Sequence, residues 1–433
     1  MLRIYKKIHG LLTDGDSKGS EGDATESNIV ARNFVLLLFS RMGSKVGDRL
    51  ANPKTTLAWL LQALDASSLT LGLIVPLRES GSLLPQVFLG GYLKRFSLRK
   101  WAWSLGAWLQ GIAIVGIALV SIKMHGTTAG WAILGLLALF SLARGVSSIA
   151  SKDVLGKTIP KKQRGQLTGW AGSLSGLIAL VSAGFFLWLG RAEQSIGMYA
   201  AYLLGAAIIW SLAGALQAAV IEQPGEVEVD NSILRNAIKQ LGLLRQDRDF
   251  RNFVGVRTLA FGSGLSAPFV ISMAHDRLGG AAFWLGVVII MDGLATMVAS
   301  PIWGRMADRS SRLVLRLAML AVALILSFVL CLNLVEFPLV VYQFAFPLVF
   351  FALGIAHSGV RVGRKTYIVN MAKGNRRTDY VSVANTVIGV LILMVGLLTG
   401  LASIISLNLV IASFVLTAAL GAGFSYRLPK VSG

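Results

Sequence analysis

The chain has 433 residues, of which 55% are hydrophobic and 14% are charged, and its 41 Lys and Arg against 21 Asp and Glu give a formal net charge of +20. A soluble globular protein carries roughly 25% charged residues, so this chain lacks the polar groups that would cover a water-facing surface. The composition therefore excludes an ordinary soluble protein and predicts an all-α polytopic membrane protein.

Apolar runs of about 20 residues, the length that a hydrocarbon core of roughly 30 Å requires, recur along the whole chain. The first thirty residues are polar and lack the apolar stretch of a cleavable signal. We predict twelve transmembrane helices, which in chain order cover residues 32–62, 69–93, 101–121, 129–150, 166–189, 197–221, 252–274, 281–304, 313–334, 339–362, 380–405 and 408–427.

The predicted first helix carries a polar stripe, and we expect the helix to kink or end at the Asn-Pro pair after it. Arg41, Lys45, Asp48 and Asn52 fall within about 60° of arc, and Arg49 lies beside them. Facing lipid would cost about 2.5–3.5 kcal/mol per charge, so the stripe is expected to face the interior of the bundle. Two interpretations stay open: a buried salt-bridge lattice that positions helices, or a pathway for substrate or protons.

Further charges interrupt later helices. Arg78 and Glu79 lie in the second helix, Arg257 in the seventh and Asp292 in the eighth. Arg78 stands twelve residues before Gly90 and Asp292 twelve before Gly304. At a rise of about 1.5 Å per residue, each is expected roughly 18 Å above the inner membrane surface. Transporters place their sites near the midplane, so we include all four in the candidate pathway.

The chain repeats itself, which predicts two halves. RNFV occurs at residues 32–35 and again at 251–254, and three other residues recur at a constant offset of 213. These are Lys152, Arg164 and Gly176, which recur as Lys365, Arg377 and Gly389. We predict an N-terminal tail at 1–31, six-helix bundles at 32–222 and 251–433, and a linker at 223–250 with an amphipathic helix at 232–244.

The connections after the second and eighth helices carry a shared motif. The second copy has Gly304, Asp308, Arg309 and Arg312. The first copy keeps Gly90, Arg95, Arg99 and Lys100, but it has Lys94 where the second copy has an aspartate. Both resemble the signature G-x-x-x-D-R-x-G-x-R-R/K of the major facilitator superfamily. The resemblance implies two pseudosymmetric six-helix bundles and alternating-access transport.

An Asp–Arg cluster beside a glycine can make charge-assisted hydrogen bonds that hold an inner gate shut. We expect this gating role for the second copy, whereas the degraded first copy fits a gate and a plain topology signal equally well. Arg144 matches the fourth-helix arginine that the superfamily often carries and associates with proton coupling. An arginine that snorkels from a helix end explains Arg144 as well.

Lys and Arg cluster in every second connection, while the intervening ones, such as residues 124–130, are nearly free of them. This positive-inside pattern predicts cytoplasmic termini and linker, favours a bacterial inner membrane, and argues against a nucleic-acid partner. The four histidines are isolated in the sequence, and neither a metal-ligand spacing nor a catalytic motif is present, so we expect no cofactor, no metal and no enzyme activity. Cys331 is interpreted as a small core hydrophobe.

In the helices, basic residues outnumber the carboxylates, which favours a small anionic or zwitterionic solute. Asp48, Glu79 and Asp292 are candidate proton carriers, because a carboxyl in a partly desolvated cavity can bind a proton near neutral pH. We therefore predict a monomeric secondary transporter coupled to protons or another ion. Alternatives are proton-driven efflux of a drug or metabolite and a non-transporting sensor or scaffold on the same fold.

Overall fold

The computed structural model describes residues 2–12, 24–84, 89, 92–93, 95–189, 196–225, 227, 242–371 and 376–431. Gly90, Lys94 and most of the amphipathic helix predicted at 232–244 lie outside this part of the chain. Its helices are α1 (Leu2–Leu12), α2 (Ala24–Leu50), α3 (Thr56–Ala63), α4 (Ser68–Leu83), α5 (Lys100–Lys123), α6 (Gly126–Thr158), α7 (Lys161–Leu189), α8 (Ile196–Ala218), α9 (Leu243–Gln246), α10 (Arg248–Leu259), α11 (Gly262–Leu265), α12 (Ala267–Leu278), α13 (Ala282–Leu334), α14 (Leu339–Met371), α15 (Arg376–Ile405) and α16 (Leu407–Phe424), followed by a 3-10 turn (Ser425–Arg427). The described residues form no β-strand, so the all-α prediction is confirmed.

Eight stretches of these helices are long and apolar enough to cross a membrane. A shorter apolar stretch, Phe283–Ala299, coincides with the predicted eighth span. The three other predicted spans coincide with α2 and α3, with α4, and with α7. The polytopic membrane class is thus confirmed, whereas the full count of twelve crossings stays a prediction.

The first predicted span is broken in the middle, as the Asn-Pro pair indicated. Helix α2 ends at Leu50 and α3 begins at Thr56, and the backbone N–H of Lys54 donates to Asn52 Oδ1 at 2.9 Å in the gap. The seventh predicted span is also broken, because its helical hydrogen bonding is interrupted between α10, α11 and α12. Non-helical backbone inside a membrane span is tolerated only where it is buried in protein or lines a cavity, so the two breaks indicate such a place.

The two halves meet closely on the side of the bundle that holds α3 and α12. The rings of Trp59 and His275 lie 5.3 Å apart edge to face, and a Cβ on Gly72 would lie 2.7 Å from the Cα of Gly400. The side chain of Gln62 in α3 hydrogen-bonds to that of Ser272 in α12. We call the other end, where α5 begins and α6 ends, the basic side. Small residues let α4 and α15 approach backbone to backbone away from the basic side.

The N-terminal segment differs from the tail expected at 1–31. Helix α1 packs against α2 and α7: His9 hydrogen-bonds to Gln163 at 3.0 Å, and Trp170 Nε1 donates to the carbonyl of Leu12 at 3.2 Å. Helix α2 begins at Ala24, well before the expected start at residue 32. The one-sided apolar pattern of an 11-residue helix is short enough to be overlooked in a polar tail.

Helix α13 contains both the eighth and the ninth predicted spans. The backbone leaves the helical conformation at Ser310, where the two spans meet. Cys331, near the end of α13, is exposed rather than in the core. An apolar side chain on a membrane helix can face lipid as easily as protein, so the interpretation of Cys331 as a core residue was wrong.

Candidate functional site

A cavity of about 500 Å³ lies between the two halves, at the breaks of the first and seventh spans. Its walls include Asn52 to Lys54 from the first break and Ala260 to Leu265 from the seventh. On the side of α3 and α12 it is closed by fully buried residues such as Trp59 and Phe269. Lys365, which is exposed, lines its other end. The cavity therefore opens toward the basic side.

Seven of the nine candidate pathway residues line this cavity, and they come from both halves. They are Asp48, Arg49, Arg78, Glu79, Arg144, Arg257 and Asp292. The sequence repeat relates two pairs of lining residues: Arg78 corresponds to Asp292 at an offset of 214, and Arg144 to His357 at an offset of 213. Pseudosymmetric positions near the midplane thus meet in one space.

Asp48 is the centre of an ion-pair triad on the wall that belongs to the N-terminal half. Arg78 Nη2 donates to Asp48 Oδ1 at 3.0 Å, and Arg144 Nη1 donates to the same oxygen. Arg78 also lies over the ring of Phe140, with its Cζ 4.6 Å from the ring centroid. The triad holds α2, α4 and α6 together and also lines the cavity, whereas the pathway for substrate or protons stays a prediction at Asp48.

Arg41 and Lys45 do not line the cavity, contrary to the shared pathway expected for the stripe. Arg41 Nη2 donates to the carbonyl of Ser151 at 3.1 Å, and Lys45 Nζ donates to that of Thr168 at 3.3 Å. Arg41 lies seven residues before Asp48, which is roughly 10 Å along a helix. These two side chains instead join α2 to α6 and α7 nearer the basic side.

Glu79 and Asp292 are the carboxylates that remain available in the cavity. Among the residues that the structure describes, neither forms an ion pair within 4.0 Å. Both interact electrostatically with Lys54, and Glu79 also interacts with Arg364. A carboxylate that neighbours cations without a fixed partner can exchange between a proton and an ionic contact.

Lys54 connects the two halves across the cavity. Its Nζ donates to His357 Nε2 at 3.0 Å, and His357 Nδ1 is 3.1 Å from Ser263 Oγ. Sequence reasoning missed both Lys54 and His357, because Lys54 lies in the break and His357 has no partner nearby in sequence. Two features of the sequence could have indicated them. Lys54 directly follows the Asn-Pro pair, and His357 is related to Arg144 by the internal repeat.

The wall that belongs to the C-terminal half is basic, and most of it was also missed. Arg257 Nη2 donates to Asn385 Oδ1 at 3.2 Å. Arg361, Arg364 and Lys365 of α14 line the same wall. Sequence reasoning ended the tenth span at residue 362 and assigned these charges to a connection, whereas α14 continues to Met371.

The first motif copy is built into one half and does not bridge the two. Arg99 pairs with Asp153, to which Lys157 Nζ also binds at 3.0 Å, and Lys157 binds Glu222 Oε1 at 3.1 Å. The Glu222 carboxylate accepts from the backbone N–H groups of Arg99 and Lys100, the first groups of α5. Its contacts therefore fasten α5, α6 and the segment after α8 at the basic side.

The rest of the motif makes few contacts in this conformation. Arg95 is exposed beside Tyr92, and Arg312 Nη1 donates to the carbonyl of Leu428 at 2.8 Å. Asp308 and Arg309 are exposed, and Asp308 has no ion pair within 4.0 Å in the described chain. Outside its own helix turn, no atom lies within 4 Å of the position that a Cβ on Gly304 would take. Because the cavity opens toward this side, the expected gate cluster stays a prediction for the closed conformation.

The cavity has a large excess of positive charge. Its cationic lining residues are Arg49, Lys54, Arg78, Arg144, Arg257, Arg361, Arg364 and Lys365. Three carboxylates, those of Asp48, Glu79 and Asp292, face these eight cations, which leaves an excess of five. A water-accessible space of this size and charge can hold a small anion between the two halves.

The family model of the Major Facilitator Superfamily matches residues 37–390, and the chain belongs to that superfamily of membrane transporters. Of the solved structures, a D-xylose-proton symporter is similar with a TM-score of 0.70 and 14% identity, covering 92% of this chain and 98% of that chain. A POT family transporter in complex with 5-aminolevulinic acid gives 0.69 and 11%, covering 92% and 95%. The inward open xylose transporter from E. coli gives 0.67 and 13%, covering 92% and 97%. These identities show the fold alone, and no curated protein matches the chain.

Proposed function

We propose that the protein is a secondary active transporter that moves a small anionic solute by alternating access between its two halves. The observation that carries the proposal is the cavity at the two broken spans, closed on one side and holding five more cations than carboxylates. Discontinuous helices at the interface of repeats are typical of binding sites in such transporters. A zwitterionic solute would offset less of this charge, so the cavity favours an anion.

Proton coupling is the second part of the proposal, and it rests on Glu79 and Asp292. Both line the cavity, and each lies near cations that compete with a proton for the carboxylate. Asp48 is less suited, because two arginines already bind one of its oxygens. A proton on Glu79 would free the cations that its charge attracts, so that they can bind an anion, which links protonation to anion binding.

We place the protein in a bacterial inner membrane with both termini on the cytoplasmic side. In this orientation the cavity of the described conformation opens toward the cytoplasm. Support comes from the Lys- and Arg-rich connections on the side toward which the cavity opens. In a Cys331→Ser background, a membrane-impermeant maleimide should label Thr127→Cys in intact cells and miss Arg235→Cys. Labelling of Arg235→Cys alone would reverse the orientation.

Reconstituted vesicles test the transport function. Solutes that raise the melting temperature of the purified protein are first identified, because a ligand that binds the folded state stabilises it. Uptake of those solutes into proteoliposomes should depend on an imposed pH gradient. Glu79→Gln should abolish that dependence, and Glu336→Gln, which alters an exposed carboxylate outside the cavity, should preserve it.

Two negative results of this experiment would contradict different parts of the proposed function. A solute that binds but is not taken up under any gradient would contradict transport and favour a sensor on the same fold. Uptake that ignores the pH gradient in the parent protein would contradict proton coupling only.

A further inference from the structure

Four cations on the C-terminal wall of the cavity lack a neutralising contact. They are Arg257, Arg361, Arg364 and Lys365, which we call the C-half cation cluster. Arg257 is only 9% exposed, and its buried Nε has no hydrogen-bond partner. Within the described ranges, Arg361, Arg364 and Lys365 have neither a hydrogen-bond nor an ion-pair partner.

These four charges also repel one another. The charge of Arg364 acts on Arg257 and Lys365, and that of Arg361 acts on Arg364 and Lys365. Glu79 attracts Arg257 and Arg364 but contacts neither within 4.0 Å in the described chain. Like charges held close together without partners are costly, so this cluster favours a counter-charge that the described part of the protein does not supply.

The cations of the opposite wall differ, because most of them have a partner within the protein. Arg78 and Arg144 already share the carboxylate of Asp48. Lys54 donates to His357 and is attracted by Glu79 and Asp292. Among the described residues, and apart from Arg49, the cavity cations that contact neither a carboxylate nor a histidine are therefore those of the C-half cation cluster.

We propose that the C-half cation cluster binds a dianionic oxyanion group, so that the solute is a small organic dianion bearing two carboxylates or one phosphate monoester. This inference rests on the proposed transport function, and it specifies the substrate class. Guanidinium groups bind carboxylate and phosphate oxygens in a bidentate way, and three of the four cations are arginines. A dianion offsets two of the five excess charges whereas a monoanion offsets one, and a volume of about 500 Å³ fits a small molecule.

Binding to the purified full chain in detergent tests the assignment without requiring transport. The dianionic probes are succinate and glycerol 3-phosphate, and lactate and glycine are the monoanionic and zwitterionic probes. One or both dianions should raise the melting temperature at concentrations at which lactate and glycine do not. The dianion that acts distinguishes a dicarboxylate site from a phosphate site.

Variants then locate the site. Arg364→Gln should weaken dianion binding at least tenfold, which corresponds to about 1.4 kcal/mol. Arg364→Lys should recover part of that affinity because it keeps the charge. Arg305→Gln removes an exposed arginine of the same half that does not line the cavity, and it should bind like the parent. Ligand-free Arg364→Gln should melt near the parent, since Glu79 attracts the removed charge while Arg361 repels it.

The proposal is overturned if neither dianion stabilises the protein, if lactate does so equally, or if Arg364→Gln binds as tightly as the parent. A dianion that binds at the cluster but is never taken up into proteoliposomes would leave the site intact and remove the transport function. Uptake of an uncharged or zwitterionic solute, with no dianion binding, would remove the dianion site and leave the transport function intact.

Discussion

Replacing Asp48 by Asn is the sharpest test of the ion-pair triad. The variant removes the one carboxylate that Arg78 and Arg144 contact, with almost no change in shape. Both guanidinium groups bind the same oxygen, so their nearest nitrogens are at most about 6 Å apart, where like charges repel by about 3 kcal/mol at an effective dielectric constant of 20. Breaking a buried pair costs about 3–5 kcal/mol. Because the Arg144 side chain is 33% exposed and can turn toward water, we expect a loss of about 3 kcal/mol.

Thermal melting in detergent measures this loss, and a second substitution checks its cause. Asp48→Asn should lower the melting temperature, and Asp48→Asn with Arg144→Gln should recover most of it because one of the two repelling charges is gone. Transport then separates structure from pathway. A double variant that is stable but less active than Arg144→Gln alone would show that Asp48 also serves the solute or proton. The reasoning is refuted if Asp48→Asn melts like the parent or if the second substitution recovers nothing.

Three further variants follow from the packing. Gly72→Ala places a methyl against the α15 backbone and should open the α3–α12 side, which would raise the maleimide reactivity of Gln62→Cys. The control Gly205→Ala, with no atom within 4 Å of the new Cβ, should not change that reactivity. Glu222→Gln should lower the melting temperature through a loss of about 1–3 kcal/mol. The substitution removes the charge of a buried carboxylate that pairs with Lys157 and accepts from two backbone N–H groups. An unchanged melting temperature would contradict the fastening role of Glu222. Asp308→Asn should leave melting unchanged, because Asp308 is exposed, and should slow transport if the second motif copy closes the inner gate.

Much of the fold could be predicted from apolar runs, the internal repeat and one Asn-Pro pair. Hydropathy reports on length and lipid exposure, so it located the spans well where they are uniformly apolar, as in α5 and α8. It could not show that the seventh span is interrupted, because the interruption consists of small residues around Gly262 and Gly264 that remain apolar overall. The packing of α1 against α2 and α7 could not be predicted, because α7 is distant in sequence and the apolar pattern of α1 is short.

The candidate site was predictable in part. A helical wheel gives the direction of a side chain but not its depth or partner, which is why Asp48 was grouped with Arg41 and Lys45 although only Asp48 reaches the cavity. The repeat related Arg78 to Asp292, and both residues line the cavity. Arg364 was hidden because a charged helix end looks the same whether it meets bulk water or the mouth of a cavity.

The uncompensated charge of the cavity also has an electrical consequence. If the protein works by the proposed alternating access, switching access from one side to the other moves the cavity charges through part of the transmembrane field, even when the side chains barely move. A full crossing is worth about 2.3 kcal/mol per elementary charge at 100 mV, and the empty cavity carries five. A bound anion cancels part of that charge, so the empty and loaded transitions differ in voltage sensitivity. The return of the empty carrier is then the step that the membrane potential drives or opposes most strongly.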